Sequence, residues 1–369
     1  MNLDVAAQAA LIVFSDNYFE ARQKLREIAP GSQAYECSVK GPHGEDLFTD
    51  VAYFGPVSAK KLLVLVSGSH GVEGYCGSAA QLLFLKTKLQ NVLPAATAVL
   101  IIHALNCYGF AWDRRVTAEG VDLNRNFIDF SKPLPQNPDY EELAEYLVPV
   151  DISEEVLRRA DDALTLYQAT QGTEKFRLAY SGGQYSRPEG IFYGGKERTE
   201  ARRTLEKIAV DYDLASRDEV IILDYHTGLG PYGYGELQCE QSTGQSNYDR
   251  AVGIFGASVT SPDVGTSSSV SLRGTQDLFW RRILGERGTY VGPEFGTYPL
   301  PGGRIALRRD HWLFAYSPDN VNSELGQEIR SATKKHYYPQ ALDWKEMVAW
   351  RSHQLHRQVL ESLASANSI

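Results

Sequence analysis

Apolar positions follow two different patterns along the chain. Residues 62–66, 99–102 and 220–223 are short unbroken runs of Val, Ile and Leu, each followed by a Gly- or Asn-containing turn. A strand covered on both faces has no polar side to show, so such runs predict buried strands of a mainly parallel sheet. Between them the spacing turns helical. Phe19, Ala21, Leu25 and Ile28 recur after the start signal Ser15-Asp16-Asn17, and Pro30-Gly31 ends the segment. Residues 78–89 predict another helix. Trp344, Val348, Leu355, Val359 and Leu363 mark the core face of a last one over 342–363. Alternating strand and helix predicts an α/β fold with helices on both faces of the sheet.

Residues 131–217 break the alternation. They open with Pro133, Pro135 and Pro138, and carry charge-rich helical sequence near 154–167 and a Gly-containing loop at 180–190. We read them as a helical insertion in a single domain spanning 1–369. The Ser/Thr/Gly-rich stretch 257–274 predicts a long surface loop. No internal repeat or low-complexity tract is seen, and a chain of 369 residues can bury a large core without staples.

Composition narrows the function. With 43% hydrophobic and 22% charged residues the chain is ordinary globular material, and a formal net charge of −9 argues against a nucleic-acid partner. It leaves room for a local cationic pocket. No run approaches the roughly 20 apolar residues of a membrane span. The apolar stretch 9–14 follows Asp4 and lacks a cationic lead and a cleavage site, so no signal peptide is expected. Cys37, Cys76, Cys107 and Cys239 form no CxxC pair. They read as reduced, mostly buried thiols of a cytoplasmic protein, which excludes a thiolate zinc finger. Nothing in the sequence speaks to oligomeric state.

Four groups carry chemistry. Ser67-Gly-Ser-His70-Gly-Val-Glu73-Gly follows the first buried run, and ligands of open α/β sheets bind beyond the carboxyl ends of strands. His70 and Glu73, three residues apart, can reach one ion. The spacing alone is weak: about one His-x-x-acid pair is expected by chance, and His43 with Asp46 supplies it without a preceding strand. Asp224-Tyr-His226-Thr-Gly places a second histidine after another buried run. Two His and one Glu make a catalytic zinc set with one open position, and Asp224 either orients a ligand or caps a turn. The third group runs from Arg114-Arg115 to Val121-Asp122-Leu-Asn124-Arg125-Asn126-Phe127. Three guanidinium groups and an amide gather there, suited to carboxylates and oxyanions. The fourth is Gly292-Pro-Glu294-Phe-Gly-Thr-Tyr298-Pro, a carboxylate among turn-forming residues that can face a cleft as a general base. Glu236 and Glu240, after the His226 strand, are the next candidates for that base.

In this order the groups resemble the zinc carboxypeptidase superfamily, which includes the succinylglutamate desuccinylases and aspartoacylases. The whole chain is most similar to a poorly characterised bacterial family of carboxypeptidase-like proteins. The resemblance implies a mixed, mainly parallel twisted sheet of about eight strands between helices. It implies one zinc ion per chain on His70, Glu73 and His226. Arg115, or Arg114 if the register slips by one, would stabilise the oxyanion; Asn124 and Arg125 would clamp a free carboxylate; and Glu294 would be the general base. Two positions depart from the pattern. Cys107 follows Asn106 where a proline is usual, and no tyrosine precedes Glu294 by about twenty residues, which leaves Tyr193, Tyr290 or Tyr298 to cover the substrate. The implied activity is metal-assisted hydrolysis of an amide or peptide bond beside a free carboxylate, on a small molecule or short peptide. A desuccinylase-like N-acyl amino acid deacylase is the alternative, and a non-catalytic binding protein on the same fold is a third. Dinucleotide binding fails because the glycines at 68, 71, 74 and 77 do not space as G-x-G-x-x-G, and a serine hydrolase fails for want of G-x-S-x-G.

Overall fold

The computed structural model describes residues 11–365. Residues 1–10, which hold most of the start considered for a signal peptide, lie outside them. Nine strands form one sheet: β1 (Gln33–Lys40), β2 (Asp46–Phe54), β3 (Lys61–Val66), β4 (Thr97–His103), β5 (Glu219–Asp224), β6 (His226–Tyr232), β7 (Glu236–Gln238), β8 (Val259–Thr260) and β9 (Gly288–Gly296). Their order is β1-β2-β4-β3-β5-β9-β7-β8, with β6 paired to β9 off that path. The three apolar runs are β3, β4 and β5. They lie parallel in one register, Leu63 opposite both Val99 and Ile221. Alternate side chains enter different layers. Leu63, Leu65, Ile101 and Leu223 join the core on one face, and Leu62, Val64, Leu100 and Ile222 the core on the other. All eight are fully buried, each worth about 1.5–3 kcal/mol relative to exposure. The pairs β1–β2, β2–β4 and β7–β9 are antiparallel, which makes the sheet mixed.

The helix Tyr18–Ile28 starts where Asn17 accepts a bond from the Glu20 amide, and Leu342–Ala364 buries Trp344, Val348, Leu355, Val359 and Leu363 along one face. The helix expected from residue 78 instead runs Gly74–Lys86. Its early glycines are there for close packing. A Cβ on Gly74 would sit 2.6 Å from the Phe110 ring, and one on Gly71 would sit 2.1 Å from the backbone of Gly109. The turn after β3 is thereby pressed onto the segment after β4. Between β4 and β5 the chain forms the helices Cys107–Ala111, Pro138–Leu147, Glu154–Gln171, Thr173–Ser181 and Glu200–Asp211.

Two loops expected from sequence are built differently. Gly292-Pro293-Glu294 is strand, not turn. On that side β5 pairs with β9 only as far as Val291, and β6 starts pairing at Glu294. Pro293, which has no N–H to offer, falls in the gap. The 257–274 stretch is exposed at 263–266 as expected of a surface loop, but it also contains β8 and is tied down by Glu236, which accepts bonds from Thr260 Oγ1 (2.6 Å), Ser267 Oγ (2.8 Å) and the Ser268 amide (2.9 Å). Among the described residues no helix is long and apolar enough to cross a membrane.

Candidate active site

β3 and β5 are parallel neighbours, so the segments leaving their carboxyl ends meet. His70 lies in extended backbone just before the single 3-10 turn Gly71–Glu73. His226 opens β6 one residue after β5 ends. His70, Glu73 and His226 are 4%, 1% and 5% exposed. Their facing atoms converge: His70 Nδ1 is 3.0 Å from Glu73 Oε1, His226 Nδ1 is 3.1 Å from Glu73 Oε2, and the two Nδ1 atoms are 3.2 Å apart. Bonds of about 2.0–2.1 Å to a four-coordinate zinc ion would space its ligand atoms roughly 3.3 Å apart, so this buried group fits such an ion with one position left open.

The carboxylates around the group supply orientation. Asp122 Oδ1 lies 3.0 Å from His70 Nε2, and Asp224 Oδ2 lies 3.2 Å from His226 Nε2 without hydrogen-bond alignment. Asp224 itself accepts Ser69 Oγ at 2.8 Å and Tyr290 Oη at 2.9 Å, which fixes its carboxylate beside His226. Arg115 Nη2 approaches His70 Nε2 at 2.8 Å, so Asp122 and Arg115 compete for that nitrogen. Burial opposes a charge on His226, but Asp224 and Glu73 outweigh it and raise its pKa well above the ordinary value. Burial likewise opposes ionisation of Glu73, and His70 and Arg115 outweigh it, holding Glu73 far below the carboxylate range. The group therefore calls for positive charge between His226 and Glu73, the place a cation would take.

His70 and His226 line a cleft of about 1050 Å³, the open solvent at its mouth included. Glu294 faces it from β9, beside His226 in the β6–β9 register. Its Oε1 accepts the Leu229 amide at 2.9 Å. Burial, then the charge of Glu73, push its carboxyl up to about 8. Arg115 donates to Glu73 Oε1 at 2.6 Å and to Asp122 Oδ2 at 3.1 Å. Asn124 and Arg125 line the same cleft. Asn124 Oδ1 accepts the Gln276 amide at 2.7 Å, and Arg125 donates to the carbonyls of Asn124 and Ser181 while its buried Nε has no partner.

Three expected residues are not brought to the cleft wall. Arg114 turns away and clasps Asp310, with Nε 3.0 Å from both carboxylate oxygens and Nη2 3.0 Å from Oδ2, and it stacks 3.4 Å over the Phe314 ring. That removes it as the alternative to Arg115 and as a substrate contact. Tyr193 is buried, and its carbonyl accepts the Asp122 amide. Tyr298 is exposed and packs against Tyr232 and His336, of which His336 lines the cleft. Tyr290, Tyr180 and Tyr337 line it instead. Sequence reasoning also missed Phe192, whose ring lies 5.3 Å from both Arg115 and Arg125 on a backbone of φ +57. A bulky residue in that region is strained, and such strain gathers at functional sites.

Arg114 yields a first prediction. Arg114→Ala leaves Asp310 buried without its partner, so stability should fall by about 3–5 kcal/mol. Urea unfolding checks it: the midpoint should drop with the m-value unchanged. A variant of normal stability with impaired turnover would return Arg114 to the active site.

No curated protein matches the chain. Among solved structures it is similar to carboxypeptidase A from Helicoverpa armigera, at 13% identity over 87% of this chain and 73% of that one, TM-score 0.43. It is also similar to the murein-tripeptide amidase of Escherichia coli O157, at 12% identity over 85% and 94%, TM-score 0.35. A third is the succinylglutamate desuccinylase of Chromobacterium violaceum, at 12% identity over 89% and 76%, TM-score 0.38. The family model described as protein of unknown function, DUF2817, matches residues 14–351, the cleft included, and the chain belongs to that family.

Proposed function

We propose that the chain is a zinc-dependent, carboxypeptidase-like hydrolase that cleaves an amide or peptide bond next to a free carboxylate. The observation that carries this reading is the convergence of His70, Glu73 and His226 at one end of a cleft that Arg115, Asn124, Arg125 and Glu294 also line. Zinc held there would bring the pKa of a water towards about 7 and polarise the scissile carbonyl. The chain's own residues do the rest. Glu294 takes a proton from the attacking water and passes it to the leaving amine. Arg115, steadied by Glu73 and Asp122, meets the negative charge that develops on the carbonyl oxygen. Asn124 and Arg125 hold the substrate's carboxylate, which fixes the bond to be cut.

Metal analysis of the purified protein, with a screen of short peptides and N-acyl amino acids, tests the reading. About one zinc per chain and turnover of one such class are expected. A metal-free protein without turnover would leave a binding protein on this fold. The screen also decides between peptidase and deacylase, since the carboxylate clamp serves both.

Amidating the carboxylate of a good substrate should lower kcat/KM by about 2–5 kcal/mol of lost charge-assisted bonding. Equal rates for acid and amide would make Arg125 a structural residue and point to an esterase or endopeptidase.

A further inference from the structure

The cleft continues beyond the carboxylate clamp to a wall made by the end of β7 and the 261–276 segment, where Gln238, Glu240, Ser269, Val270 and Leu272 face the lumen. Of the two carboxylates lining the cleft, Glu294 receives a backbone N–H. Glu240 has neither hydrogen bond nor ion pair among the described residues, and its oxygens are open to the cleft. Its acidic neighbour Asp277 is already served, by Thr275 Oγ1 and by Arg281 at 3.3 Å. A half-buried carboxylate that lines a cleft with no partner of its own is free to receive a cation that enters. We propose that Glu240 selects the substrate: the residue carrying the clamped carboxylate also carries a cation, an ammonium or guanidinium on an alkyl stem, which Glu240 receives.

The proposal rests on Asn124 and Arg125 as the clamp. Glu240, Asn124 and Arg125 line the same cleft, so one bound substrate can face both sites. Val270 and Leu272 offer apolar surface to the stem, as the stems of Lys and Arg require. Burial, then Asp277, push the Glu240 carboxyl up to about 8, so an arriving cation also restores its charge. Two further guanidinium groups line the cleft: Arg177 donates to the Ser268 carbonyl, and Arg304 lies 3.6 Å from Asp161 with its buried Nε unpartnered, so the glutamate substrate and ligand decide whether they draw an anion instead.

The test compares N-acetyl-alanyl-lysine, N-acetyl-alanyl-leucine and N-acetyl-alanyl-glutamate as substrates, and free lysine, leucine and glutamate as ligands in calorimetry. The wild type should favour lysine in kcat/KM and in binding on the order of 10- to 100-fold over leucine. Glu240→Gln should collapse that ratio towards one, and Glu240→Lys should turn the preference to glutamate. Preferred cleavage after leucine or glutamate by the wild type would overturn the proposal while the hydrolase stands. Lysine binding that depends on Glu240, with no peptide cleaved, would overturn the hydrolase while the cation site stands. An equal loss on all three substrates in Glu240→Gln would place Glu240 in the chemistry and overturn the proposal.

Discussion

His226→Ala should empty the proposed metal site and abolish turnover while the fold survives. The variant leaves one imidazole and one carboxylate, and catalytic zinc sites keep three protein ligands. The removed Nδ1 lies 3.1 Å from Glu73 and 3.2 Å from His70, so nothing else in the cradle can take its place. The side chain ends in the cleft, and the β6–β9 pairing around it is backbone. Elemental analysis should fall from about one zinc per chain to background, with circular dichroism unchanged. Asp224→Asn gives the graded version. It weakens the carboxylate behind His226 and should cost 10- to 100-fold in zinc affinity without removing a ligand. Full zinc occupancy in His226→Ala would end the assignment.

How much of this was legible in sequence depends on where the cause of each feature lies. β3, β4 and β5 were legible because strands buried on both faces must be apolar throughout. The convergence of His70, Glu73 and His226 was legible because two histidines and a glutamate stood just beyond two of those strands. Arg114 and Arg115 could not be told apart. They are adjacent, and what turns Arg114 away is Asp310, 196 residues further on. Of the cleft tyrosines Tyr290 was named, but Tyr180 and Tyr337 were invisible for the same reason: each comes from the end of a helix whose local sequence carries no trace of the cleft. Gly292 and Pro293 misled because turn chemistry and a change of strand partner use the same residues. Asp122 had a signal, since it lies in the same short run as Asn124 and Arg125. Its bridge between His70 and Arg115 needed the fold. Glu236, a reserve candidate for the base, does not line the cleft and instead accepts three bonds from the 260–268 segment.

Glu294→Gln separates chemistry from binding. Gln is nearly isosteric, and its amide oxygen can still accept the Leu229 N–H at the 2.9 Å position. It cannot take a proton at neutral pH. Zinc, stability and binding of a non-hydrolysable analogue should therefore persist, while kcat falls by roughly 10²–10⁴. The pH profile gives a second readout. In the chain without a cation, burial and Glu73 hold the carboxyl near 8, so it is protonated at neutral pH. Positive charge in the cradle favours the ionised form and lowers that pKa. The base works only when ionised, so wild-type kcat/KM should drop as pH falls through the carboxyl's pKa in the loaded enzyme, and that acid limb should vanish in the Gln variant. Loss of zinc in Glu294→Gln would make Glu294 a ligand and reopen the assignment of Glu73. Near-normal turnover would reduce Glu294 to a strand residue, and Glu240 would then be the carboxylate of the cleft left to serve as base.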